Sequence, residues 1–122
     1  MAYVRGNIFA RILRGELPCK KVYEDEHVLA FNDINPQTPT HILVIPKGEY
    51  VSWDDFAERG SAEEIAALVR AVGRIAREAG LADAGYRALS NHGRDAHQEV
   101  PHLHIHICGG RDLGRMVGRP KE

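Results

Sequence analysis

The chain has 122 residues, 43% of them hydrophobic and 27% charged, and a formal net charge of −1. That length fits a single domain able to bury its own core, and the near-neutral charge excludes a bulk electrostatic pull toward nucleic acid or an anionic membrane. No apolar run approaches the roughly 20 residues of a membrane span, and the first residues lack the apolar core of a signal peptide. Cys19 and Cys108 stand far apart and outside any C-x-x-C pattern, which argues against a structural zinc site and for a reducing, cytoplasmic setting. Arg111, Arg115, Arg119 and Lys121 form a basic tail that reads as solvated.

In chain order, Asn7 to Arg14 predicts a short helix, with Asn7 as N-cap, Ile8, Phe9, Ile12 and Leu13 at helical spacing, and Gly15 and Pro18 closing it. Lys20 to Glu24 and His27 to Asp33 predict two short strands around an acidic turn. In the second, Val28, Ala30 and Asn32 share one face, while Leu29, Phe31 and Asp33 share the other. Asp33 ends an otherwise apolar face; alone, it reads as a turn or cap residue. After the proline-bearing turn Asn35 to Thr40, the residues from His41 to Ile45 predict a strand with His41, Leu43 and Ile45 on one side, stopped by Pro46-Lys47-Gly48.

Glu49 to Gly60 reads as a connecting loop with room for one helical turn, and Trp53 within it as a packing residue. Ser61 to Ala79 predicts the one long helix. Ser61 and Glu64 have capping-box spacing, Gly80 is a C-terminal stop, and Ile65, Leu68, Val69, Val72, Ile75, Ala76 and Ala79 make the apolar stripe. Tyr86 to Asn91 predicts a strand that ends in a polar loop running to Glu99. The links between strands are short, so the expected fold is α+β: an antiparallel sheet of about five strands with one long and one short helix.

The most informative stretch follows, from Val100 to Gly110. His102, His104 and His106 alternate with Leu103, Ile105 and Ile107, which in a strand places three imidazoles on one face and three aliphatic side chains on the other. Three readings fit such a row. It could be structural, although a polar row wastes burial. It could bind metal, with adjacent histidines chelating one ion and His41 or a carboxylate completing the site. Or it could act on a phosphoryl group, with one neutral imidazole as nucleophile and protonated neighbours stabilising phosphoryl oxygens or the leaving group.

The segment His102-Leu-His-Ile-His-Ile-Cys108 resembles the signature of the histidine-triad superfamily, histidines alternating with apolar residues. Asn7-Ile-Phe-Ala-Arg-Ile12, the run from Ala30 to Lys47, Gln98 to His106 and Gly109 to Gly114 are all similar to the Hint branch of that superfamily, the nucleotide-binding phosphoramidases, in its bacterial form. The resemblance implies a single domain over residues 1–122 with 109–122 as a C-terminal tail, and a homodimer whose sheets join side by side. It implies hydrolysis of the P–N bond of purine nucleoside 5′-phosphoramidates, or of aminoacyl-adenylates, through a nucleotidyl-histidine intermediate. No cofactor or metal is expected, and the ligand is a purine nucleotide such as AMP or GMP. A nucleotide-binding or protein-interaction module with weak catalysis is the competing class.

By the same resemblance, His104 matches the nucleophile, His102 and His41 its hydrogen-bonding supports, and His106 and Gln98 the phosphate or scissile region. Asn91 matches a polar position on the phosphate side and Asp33 the ribose-binding acid. Ile8, Phe9, Ile12, Phe31, Ile34 and Leu43 match the apolar purine slot, with Asn32 beside it, and Glu99 lies where the leaving group is served. Histidine rather than glutamine at 106 points to a hydrolase over the nucleotidyltransferase branch. Departures are Ala96-His97 where Gly-Gly is common, Glu99 where animal members carry serine or threonine, and Pro101 in place of a frequent aromatic residue.

Overall fold

The computed structural model describes residues 2–118; of the basic tail, Arg119 and Lys121 lie outside the described residues. Along the chain run α1 (Ile8–Leu13), β1 (Lys21–Glu24), β2 (Val28–Asn32), β3 (Thr40–Pro46), α2 (Trp53–Arg59), α3 (Ala62–Glu78), β4 (Tyr86–Leu89) and β5 (Ile105–Gly109). The strands form one antiparallel sheet in the order β1-β2-β3-β5-β4, the expected α+β architecture. Because β5 enters between β3 and β4, the histidine segment lies mid-sheet beside His41, whose pairing partner is Cys108.

Strand alternation divides the core in two. Val28, Ala30, Ile42, Val44, Leu103, Ile105 and Ile107 point toward α3 and pack with Leu68, Ala71, Ile75 and Ala76. Leu29, Phe31, Leu43 and Ile45 point the other way, where Phe9 of α1 covers them. The second face is only partly roofed, because α1 has six residues. That leaves room on this face for a site.

The N-terminus of α3 carries the predicted capping box: Ser61 Oγ accepts from the Glu64 amide at 3.1 Å, and Glu64 Oε1 accepts from the Ser61 amide at 3.0 Å. The Tyr50 hydroxyl also donates to the Glu64 carboxylate at 2.8 Å, linking the cap to the segment before α2. Ser61→Ala is expected to cost about 1 kcal/mol, read as a lower urea midpoint with an unchanged slope.

Four expectations differ from the structure. The 49–60 segment holds a second short helix, so there are three α-helices among the described residues. Ser52 caps α2 by accepting from the Asp55 amide at 3.2 Å, Asp54 and Asp55 sit in its first turn, and Asp55 pairs with Arg59 one turn later. Trp53 is 57% exposed and does not serve as core packing. In α3, Val69 is 61% exposed and Ala79 is the C-cap, while Ala71 is the buried residue the stripe omitted. The ladder of β5 also begins at Ile105 rather than Val100, so His102 and His104 precede the strand proper. The reason is local. Continuing the register would set Leu103 opposite Pro46, which has no amide hydrogen, and the Pro46 carbonyl is taken by the His102 ring at 2.8 Å. The Leu103 amide bonds Tyr50 O at 2.7 Å instead. Alternation still persists, since Leu103 is buried in the α3-facing core.

Candidate active site

Three histidines stand in sequence along the α1 side of the sheet, with His41 of β3 next to the last. The His104 and His106 rings lie 5.0 Å apart, those of His106 and His41 5.1 Å, and Phe9 meets His104 edge-on at 4.9 Å. His102, His104 and His41 are buried, and His106 is partly open.

The hydrogen bonds assign the tautomers. His104 Nδ1 lies 2.7 Å from the His102 carbonyl, an acceptor, so Nδ1 carries the proton and Nε2 keeps its lone pair. His102 Nε2 faces the Pro46 carbonyl and must donate; its Nδ1 therefore accepts, from the Tyr3 hydroxyl at 2.6 Å. The Gln37 amide donates to His41 Nδ1 at 3.1 Å, leaving His41 Nε2–H to donate to His106 Nδ1 at 2.8 Å. His106 thus keeps its own proton on Nε2. Among the described residues no buried side-chain polar atom lacks a partner.

Burial sets the protonation. It drives His102 down to about 4, with the neighbouring His104 as a further cause and the Pro46 carbonyl opposing. His106 is likewise pushed down to about 4 by burial, then by His104 and His41. His104 is lowered by burial, against the pull of the His102 carbonyl and of the Asp33 and Glu99 carboxylates. All three are neutral at pH 7. The flanking imidazoles of His102 and His106 are therefore neutral rather than protonated at pH 7, because desolvation outweighs the nearby carboxylates. The site thus offers an unprotonated Nε2 on His104 and, on the neighbouring ring 5.0 Å away, an Nε2–H of His106, the lone pair and the donor that attack on a phosphoryl group would require.

The HIT domain model matches residues 14–113. This chain belongs to the HIT family. An uncharacterized 13.2 kDa HIT-like protein of Azospirillum brasilense is 68% identical over 115 residues, covering 94% of each chain. The purine nucleoside phosphoramidase of Escherichia coli (strain K12) is 45% identical over 110 residues, 90% of this chain and 92% of that one. Among solved structures, a HIT family hydrolase from Legionella pneumophila Philadelphia 1 superposes with a TM-score of 0.84 at 38% identity, covering 91% of this chain and 98% of the other.

In this HIT protein the remaining candidate residues fall into two groups. Phe9, Phe31 and Leu43 form a buried apolar wall on the histidine side, Ile12 packs at its margin, and Leu43 pairs with His106 across the sheet. Ile8 and Ile34 are exposed, Ile34 at 92%, as an open rim would be. Asn32 is exposed at the end of β2. Asp33 accepts from the Asn35 amide through Oδ1 at 2.8 Å and directs Oδ2 to His41 Nε2 at 3.4 Å. Donor atoms of Asp33, His41 and His106 all lie within 4.8 Å of one another, a set that could hold one metal ion.

The loop ahead of the histidines holds the second group. Asn91 is half-buried at its start and Glu99 is exposed near its end. The Gln98 side chain is occupied structurally: Nε2 donates to the carbonyls of Val51 and Val100 at 2.9 and 3.0 Å, and Oε1 accepts from the Gly93 amide at 3.1 Å. It staples the loop rather than pointing free into the site. His97, where the branch commonly carries glycine, has φ 58° and ψ 43°, a left-handed conformation that costs a side chain strain. His97→Gly is expected to raise stability by about 0.5–1 kcal/mol after glycine's own entropic cost. A lower melting temperature would show instead that the imidazole anchors the loop. Sequence reasoning missed Tyr3, Gln37 and the Pro46 carbonyl, all placed by tertiary contacts that no periodicity signals.

Proposed function

We propose that this protein hydrolyses the P–N bond of purine nucleoside 5′-phosphoramidates, with aminoacyl-adenylates as the neighbouring substrate class. The observation that carries this reading is the hydrogen bond from His104 Nδ1 to its neighbour's carbonyl, which leaves Nε2 unprotonated. Nε2 attacks the α-phosphorus and the P–N bond breaks, the amine nitrogen taking a proton from solvent as it departs and leaving a nucleotidyl-imidazolium. Water then cleaves the P–Nε2 bond, releasing the nucleoside monophosphate and neutral imidazole and returning a proton to solvent. His106 Nε2–H stabilises a phosphoryl oxygen, and Glu99 serves the leaving group. The purine lies against Phe9, Phe31 and Leu43 with Ile8, Ile12 and Ile34 around it, and Asn32 flanks the slot. Asp33 accepts from the ribose hydroxyls, and Asn91 and Gln98 shape the phosphate side. The name of the 45% identical Escherichia coli relative supports the same substrate class.

Residues 1–122 are taken as one HIT domain with 109–122 as its tail, working in the cytoplasm on AMP- or GMP-type substrates. A second copy of the chain is the expected partner. Two features support it: β4 is an unpaired sheet edge, and an apolar groove of about 210 Å³ beside it is lined by Trp53, Val69, Val72 and Leu89.

The test is amine and AMP release from an adenosine 5′-phosphoramidate in excess chelator. Turnover is expected; an intact substrate with AMP still bound would leave a nucleotide-binding module instead. The Asp33–His41–His106 donor set favours one second reading, a metal-assisted hydrolase. Loss of turnover on chelation, restored by added zinc, would select it.

A further inference from the structure

We propose that Tyr3 is a positioning residue for the nucleophile, acting on His104 through His102. The inference rests on the reading of His104 as nucleophile. His102 has no exposed surface, so both ring nitrogens need partners inside the protein. One is fixed: Nε2–H donates to the Pro46 carbonyl. The other is a lone pair, and the Tyr3 hydroxyl supplies its donor at 2.6 Å, with the rings edge-on at 5.4 Å. The two bonds together hold the imidazole from both ends in one tautomer. The carbonyl of that same residue accepts from His104 Nδ1 and thereby keeps His104 Nε2 unprotonated.

Tyr3 is well placed to exert this hold because its segment is itself tied down. The Asn7 amide and side chain both donate to the Val4 carbonyl, at 3.0 and 2.7 Å, and Arg14 Nη1 donates to the Arg5 carbonyl at 2.9 Å. The strap over His102 is thus fastened to α1, which also presents Phe9 against His104. The strapped residues, Tyr3 to Arg5, precede residue 14, where the HIT domain model begins. The device belongs to this chain's N-terminal segment and adds to the triad itself.

Removing the hydroxyl leaves a buried lone pair without a donor. The ring relieves this by turning toward another donor, which strains the Pro46 bond and shifts the residue's carbonyl. That movement loosens His104. Tyr3→Phe is tolerable sterically, since Tyr3 is only half-buried. In the full chain it is expected to lower kcat for an adenosine 5′-phosphoramidate about tenfold, leaving the Kd for AMP unchanged. The ¹⁵N signals of the His102 and His104 ring nitrogens should shift together. Unchanged kcat with unchanged ring signals would overturn the proposal. So would a parallel loss of kcat, AMP binding and melting temperature, which marks a merely structural residue. If the native protein turns over no phosphoramidate, the nucleophile reading fails, whereas the nitrogen signals of the two proteins still decide whether Tyr3 orients His104.

Discussion

His104→Ala is expected to lower phosphoramidate turnover by about 10³-fold or more, while AMP still binds. The two halves of that result have different physical sources. Turnover needs a lone pair aimed at phosphorus, and His104 Nε2 is the one the hydrogen bonds leave open, since His102 is committed at both nitrogens and His106 Nδ1 accepts from His41. No neighbour can substitute without breaking a bond that holds the site. On the proposed reading, binding instead rests on the apolar wall of Phe9, Phe31 and Leu43, which packs without the imidazole. The exception is the edge contact between Phe9 and His104, so a small loss of affinity accompanies the substitution. Calorimetric AMP binding alongside amine release separates the two. A variant that retains within tenfold of native turnover would remove His104 from the chemistry and direct attention to the metal-assisted reading.

Acid should weaken the fold well before its surface ion pairs are titrated. His102 takes up a proton near 6.5 when unfolded but only near 4 when folded, because burial opposes the charge. Between those values the unfolded state binds more protons, so stability falls as pH falls through that window and is fully present above it. The shift corresponds to about 3 kcal/mol, most of it spent by pH 4.5. His106, partly open, adds in the same direction and by less. Glu24 and Asp55, held down to about 2 by Lys21 and Arg59 respectively, keep their charge across this range, so their loss comes later. Urea midpoints at pH 7, 5.5 and 4.5 read the slope directly. A flat profile down to pH 5 would show His102 accepting its proton in the folded state, and the Tyr3–His102–Pro46 clasp would have to be wrong.

The contrast between what could and could not be read from the sequence follows from range. The two faces of β2 and β3, the α3 capping box and Asn7 as a side-chain cap depend on residues within a few positions of one another, and all are visible in the pattern. The cap and first-turn acids of α2 were equally local; Ser52-Trp-Asp-Asp55 carried that signal, and the loop reading passed over it. The start of β5 was different. Its ladder is cut short by a proline 59 residues earlier and by a ring that claims that proline's carbonyl, neither of which alternation encodes. The same holds for the approach of Asp33 and His41 to His106, which requires the strand order, and for Tyr3, a lone aromatic in an unpatterned segment. Resemblance to a family supplied the grouping that spacing alone left open among three chemistries.

The strand order has a consequence for how this protein comes into being. β1, β2 and β3 are neighbours in both chain and sheet, so they can zip together through short loops as soon as they exist. β4 cannot: its partner in the sheet is β5, which is made after it, and β3 must wait across nearly half the chain for the same strand. Loop closure of that length costs entropy before any pairing rewards it. The keystone is therefore laid last. A nascent chain stopped short of His104 has a three-stranded meander, an orphan strand and neither His104 nor His106, and the late docking of β5 completes both the sheet and the candidate site. An unfinished copy therefore lacks an interior strand of its sheet and the candidate site together.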